Sequence, residues 1–179
     1  ESRNELVQNT KDLARELKFD RMSFINSEIA DSKKLILKNV DMVTALHACD
    51  TATDDVIHFG LEVKAKYMLI VPCCQAEISR HLRTNKAESL KKPLAELWRH
   101  GIHTIEMGSH LTNVLRCLLL ESQGYKVTVT ELVGWEHSMK NELIIAEYIG
   151  TKKGNANERI NNILEEFNLQ SLKPRFNFN

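Results

Sequence analysis

The sequence predicts an α/β open sheet with parallel strands in the middle and an antiparallel pair at the end. Three observations carry that expectation. Short apolar runs alternate with helical patterns, two of those runs (ending at His47 and Pro72) are separated by one helix-length segment, and two β-rich runs close the pattern across a loop of about nine residues.

Taken in order, Leu6, Val7, Leu13 and Leu17 recur at intervals that suit one face of a helix from about Ser2 to Lys18. Met22, Phe24 and Ile25 make a short strand candidate ending in Ser27-Glu28-Ile29, followed by a polar stretch and a helical turn around Lys33 to Leu37. Asp41 to His47 reads as a buried strand, being short and mostly apolar. A helix from about Thr53 to Val63 follows, capped by Thr51 or Thr53. Tyr67 to Val71 is a second buried strand, stopped by Pro72 because proline cannot donate to a central ladder. Residues 76–103 form a charged helical insert, and Leu111 to Ser122 a core helix that turns at Gly124. Tyr125 to Leu132 and Glu142 to Tyr148 are expected to pair antiparallel, and a last helix covers about Asn157 to Phe167.

Composition removes several classes. The 179 residues are 42% hydrophobic and 27% charged, which suits an ordinary globular domain rather than a collagen-like, disordered or disulfide-scaffold chain. Lys plus Arg and Asp plus Glu are both 24, so no global charge draws the chain to nucleic acid or to an anionic membrane. No apolar run approaches the roughly 18 residues of a membrane span. Cysteines 49, 73, 74 and 117 lack the spacing of a disulfide framework, and a soluble protein of the reducing cytoplasm is expected. Glu1 opens directly into a helical pattern without an initiator Met, so the chain is expected to begin inside a longer polypeptide.

Two clusters could do chemistry. Ligands of open α/β sheets bind at the carboxyl ends of the strands, and both clusters fall there. The first, Leu46 to Asp54, offers imidazole (His47), thiol (Cys49), carboxylate (Asp50) and hydroxyl groups, although Thr53 and Asp54 also suit a helix N-terminus. The second is Pro72-Cys73-Cys74-Gln75, in which either cysteine can equally be a small buried hydrophobe. A zinc reading would gather His47, Cys49, Cys73 and Cys74, but the adjacent pair chelates poorly and no Cys-x-x-Cys occurs, so no metal is expected. A Cys73 thiolate nucleophile lacks any sequence feature that fixes a base beside it.

The string LHACDTATDDVI after a strand, followed by a helix, a strand and VPCCQAEI, resembles Rossmann-like S-adenosylmethionine methyltransferases. The similar domain also occurs in eukaryotic glutathione S-transferase C-terminal-domain-containing proteins. A more distant likeness is to tRNA 2'-O-methyltransferases with a Leu-Cys-Gly-x-Ala-Thr-Asp string and a later Cys-Cys pair. The resemblance extends over residues 1–149, with 150–179 left as a C-terminal helix and tail. It includes GWEHSMKNELIIAEYI, where Ser138-Met139 replaces the family's usual Thr-Pro.

The resemblance implies a class I methyltransferase sheet in which the strands ending at His47 and Pro72 are the fourth and fifth, and the closing pair the sixth and seventh. It implies S-adenosylmethionine as cofactor, held by Glu1 at the ribose, Glu28 at the adenine, and Leu46 and His47. Glu1 opening a helix and Glu28 capping a turn are the plain alternatives. The resemblance further implies an RNA acceptor served by His47, Asp50 and Cys73 and bound by Cys74, Gln75, Arg80, Arg83, His137, Lys140 and Asn141. The family's first strand and its Gly-rich turn have no counterpart, since the seven glycines include no Gly-x-Gly. The insert carries a net charge of +3 from Glu77 to Arg99, as a phosphate-binding face or a merely solvated one. Trp98 and Trp135 are either base-stacking or core aromatics. The rival class is a cofactor-free binding module for RNA or protein, and a third is a zinc-dependent hydrolase.

Overall fold

The computed structural model describes residues 3–29, 31, 40–46, 48–73, 75–84, 93–134 and 141–178. The chain divides into two compact units, Glu1–Leu37 and Lys38–Asn179. In the first, helix α1 (Asn4–Glu16) is amphipathic in sequence, with Ala14 buried; the chain leaves it where Phe19 N donates to Ala14 O at 2.8 Å. Residues 22–28 form no strand, contrary to the expectation for Met22 to Ile25. A strand is stabilised only by a ladder with a neighbour, and these residues have none among the described residues. The turn expected at Lys33 to Leu37 lies outside them.

The second unit follows the predicted alternation: β1 (Met42–Leu46), α2 (Thr51–Glu62), β2 (Tyr67–Val71), α3 (Glu77–Thr84), a 3-10 segment (Pro93–Trp98), α4 (Gly101–Ser122), β3 (Tyr125–Glu131), β4 (Glu142–Tyr148), α5 (Ala156–Glu166) and a second 3-10 segment (Gln170–Phe176). The sheet order is β1-β2-β4-β3. Strands β1 and β2 run parallel, with Met42 opposite Tyr67 and Leu46 opposite Val71. Strand β4 is antiparallel to both β2 and β3. This is a mixed α/β open sheet, as the sequence predicted. Burial separates centre from edge. In β2, Met68 and Ile70 are fully buried, while β1 alternates, with Val43 and Ala45 inside and Met42, Thr44 and Leu46 outside.

Helix α4 organises the unit. It packs against α2, α3, α5, β3 and both 3-10 segments, burying Leu111, Leu115, Leu118, Leu119 and Leu120. It starts ten residues before the expected Leu111, because Gly101 and Gly108 dilute the local helical signal that packing restores. Gly108 is required by its neighbour: a Cβ there would lie 2.7 Å from the Ser79 backbone nitrogen of α3. At the far end Gly124, at φ +92°, reverses the chain into β3. Residues 150–179 add Ile160, Leu164, Leu169 and Phe176 to the buried interior of this unit. Their Phe167 lies against Trp98, ring centres 5.3 Å apart, so Trp98, 3% exposed, is a core aromatic with no free face for a base. Trp135 lies outside the described residues. No helix among the described residues is long and apolar enough to cross a membrane.

Candidate functional site

The parallel pairing of β1 and β2 brings both sequence clusters to one end of the sheet. Asp50 sits at the hinge between them. Its backbone, φ 51° and ψ −122°, adopts a conformation costly for any residue with a Cβ, and it persists because its surroundings hold it. The Arg116 Nη2 donates to its carbonyl at 2.8 Å. The Asp50 carboxylate reaches forward to α3, where Oδ1 accepts from the Ala76 and Glu77 amides at 3.0 and 3.1 Å and Oδ2 from Arg80 at 3.1 Å. It thus satisfies two orphan donors at the start of α3. Partial burial works against the charged form, but the two amides and the Arg80 guanidinium outweigh it and hold the carboxyl below its ordinary range.

Neither threonine caps α2 as expected. The helix begins at Thr51 with Asp50 in the capping position, and the Thr53 hydroxyl donates back to the Ala48 carbonyl. Asp54 is also spent elsewhere. Buried one turn into α2, it forms a bidentate pair with Arg116 of α4, Nε to Oδ1 at 2.6 Å and Nη2 to Oδ2 at 3.1 Å. Arg116, 1% exposed, completes its bonds with Asn113 Oδ1 at 3.2 Å and the Asp50 carbonyl. Gln75 Nε2 donates to the same Asn113 oxygen at 3.2 Å, and Ser109 Oγ donates to Gln75 Oε1 at 2.6 Å. One polar network therefore ties the loop after β1, the loop after β2 and the middle of α4. Satisfied networks of this kind fix a geometry, because each unmade bond inside would be expensive.

Beside the network opens a crevice of about 540 Å³, lined by Pro72, Cys73, Gln75, Ser109, Asn113, the β3 residues Val129 to Glu131, Asn141 and Glu142. The volume is that of a small-ligand site. Its inner wall is amide and hydroxyl, and carboxylates stand on the strand side. Asn141 helps close the β3–β4 connection, with Nδ2 donating to Val133 O at 2.5 Å while Leu132 N donates to Asn141 O at 2.7 Å. Cys73 meets Cys49 across the strand ends, the two Sγ atoms 2.9 Å apart.

Of the residues expected from sequence, the structure gathers Asp50, Cys73, Gln75, Arg80 and Asn141 at this end of the sheet, with Leu46 at the end of β1, 64% exposed. Arg83 is exposed on α3. Glu28 is exposed in the first unit. Glu1, His47, Cys74, His137 and Lys140 lie outside the described residues. Ser109, Asn113 and Arg116 were not anticipated. They lie on a helix whose sequence advertises only its apolar face, and a lone buried arginine within that apolar run is the one signal that could have pointed to them.

The model of a family described as a methyltransferase domain matches residues 1–81, which takes in α1, β1, α2, β2 and the start of α3. Comparison with curated proteins and with solved structures gives no match. Over the loops that carry both sequence clusters, then, this chain is similar to a methyltransferase domain.

Proposed function

We propose that the chain forms the acceptor side of an S-adenosylmethionine-dependent methyltransferase that acts on RNA in the cytoplasm. The crevice beyond β2 carries the reading. It stands where open α/β sheets take their ligands, beside loops similar to those of a methyltransferase domain, and its size suits one nucleoside. Gln75, Asn113 and Asn141 offer amides of the type that reads base edges, while Glu131 and Glu142 favour a donor-bearing base over a phosphate inside the crevice. Phosphates of the flanking chain fall to Arg83 and to the lysines at 86, 91 and 92.

S-adenosylmethionine, when bound, supplies the methyl group. Leu46 fits it as an exposed apolar wall at the end of β1. The methionine end fits less well, since the sequence holds no Gly-x-Gly turn to bring backbone amides close. What these residues contribute is alignment and proton handling. Asp50, with its carboxylate held by three donors and its pKa lowered, is a weak base, and it serves as a positioning residue that joins α2 to α3. The proton of the acceptor then falls to His47, the residue after β1.

A binding module without cofactor is the second reading. It is favoured by the structural duties of Asp50 and Asn141, whose bonds to α3 and to Val133 account for both residues without any chemistry. Calorimetric titration of the full-length protein with S-adenosylmethionine and with single-stranded RNA in a salt series separates the two; the segment 1–179 alone, without a Gly-x-Gly turn, is expected to bind the cofactor poorly. Saturable binding of both is expected, with RNA affinity falling as salt rises and the slope reduced by about one in Arg83→Ala. RNA binding without cofactor binding would favour the module, and binding of neither would remove both readings.

A further inference from the structure

The two thiols that meet across β1 and β2 are not needed for the network that shapes the site. Cys49 follows β1 and is exposed, while Cys73 follows β2 and lines the crevice. They come from neighbouring parallel strands, held in register from Met42 opposite Tyr67 to Leu46 opposite Val71. Their sulfurs stand 2.9 Å apart, so bonding requires an approach of only about 1 Å. The loops that carry them are tied on one side by Asp50, which caps α3, and on the other by Arg116. Most cysteine pairs lack such placement. Here one thiol faces solvent, where an oxidant arrives, and the other stands against it as a resolving group.

We propose that Cys49 and Cys73 form a reversible oxidation site that a hydroperoxide converts to a disulfide. The Cys49 sulfur attacks the terminal peroxide oxygen, the O–O bond breaks, and water or an alcohol leaves. The sulfenic acid so formed is attacked by the Cys73 sulfur; the S–S bond forms as the S–O bond breaks, and the leaving hydroxide takes up the second thiol proton as water. Two electrons pass from the two sulfurs to one peroxide. A dithiol such as dithiothreitol reverses the step by thiol–disulfide exchange, becoming oxidised itself. Because Cys73 lines the crevice, the bond redraws that wall and clamps the two strand-end loops together. The consequence for methyl transfer rests on the function proposed above, whereas the oxidation chemistry does not.

The test has two arms. In the first, the full chain is treated with hydrogen peroxide, alkylated, digested with trypsin and examined by mass spectrometry. A link between the peptides Asn39–Lys64 and Tyr67–Arg80 is expected, abolished by Cys49→Ser, retained in Cys74→Ser and in Cys117→Ser, and lost on reduction. A link that disappears in Cys74→Ser, or Cys49 driven to sulfinic acid without any link, would overturn the proposal. In the second arm, peroxide is expected to slow methyl transfer on the order of 100-fold, as for a reacting group displaced by about 1 Å. Dithiothreitol restores the rate, and Cys49→Ser is active but indifferent to peroxide. A linked protein of unchanged rate would overturn the control of the crevice. Absence of transfer from the reduced protein would instead count against the methyltransferase reading and leave the first arm standing.

Discussion

Arg116 and Asp54 are both charged and both buried, so each depends on the other. Truncating one leaves a charge without its counter-ion in the interior, and Arg116→Ala is expected to cost about 3–5 kcal/mol. The fall in the urea midpoint measures it, with an unchanged slope if the fold is kept. The apolar double replacement Asp54→Leu with Arg116→Met is expected to recover part of that loss, because neither charge then has to be desolvated, while the Asp50 carbonyl and Asn113 Oδ1 still lose the Arg116 donors. Asp50 makes a pH-dependent contribution. Its carboxyl is held below the ordinary carboxylate value near 3.9, so its stabilisation is fully present above that value and is lost as the pH falls through the lowered one. Asp50→Asn is expected to lose about 1 kcal/mol at pH 7, as for a weakened helix cap, with the difference from the parent closing below about pH 4. Unfolding of both proteins across pH 2–7 measures it; a gap that stays constant would show that the cap does not depend on charge. The chemistry of Asp50 was visible in the sequence, but its use was not. The positive φ at Asp50 supplies the reason: the loop requires there a backbone conformation that no local pattern records.

Elements were read most accurately where local pattern and packing agree. Strands β1 and β2, their parallel pairing and the antiparallel β3–β4 pair follow from short apolar runs with turn residues between them, and the last helix was placed to within one residue at each end. The failures have one cause, which is that pattern does not record contacts between distant segments. Met22 to Ile25 alternates like a strand yet finds no ladder, and α4 runs through two glycines because α3 lies close enough to require one of them. Gly108→Ala is therefore expected to destabilise by about 1–3 kcal/mol, although alanine is the better helix former, because the Ser79 backbone must give way. Thermal unfolding checks the sign. A stabilised Gly108→Ala variant would mean that α3 and α4 are not held this closely.

Across the second unit, the crevice is assembled from three places in the chain: the loop after β2, the middle of α4 and the β3–β4 strands. The methyltransferase-domain match covers the first of these and stops at residue 81, before Ser109, Asn113 and Arg116. Half of the candidate site was accordingly legible, in the Cys73 to Gln75 cluster and Asn141. The other half depends on an arginine that bonds to Asp54 sixty-two positions away, a separation no local motif records. Presentation of an RNA acceptor by this crevice is measured by transfer of tritium from methyl-labelled S-adenosylmethionine, catalysed by the full-length protein, into total RNA and, in parallel, total protein from cells lacking it. Label in RNA is expected, with turnover lowered in His47→Ala and RNA affinity nearly intact. Label confined to protein would contradict the RNA acceptor, and label in neither fraction would contradict the methyltransferase.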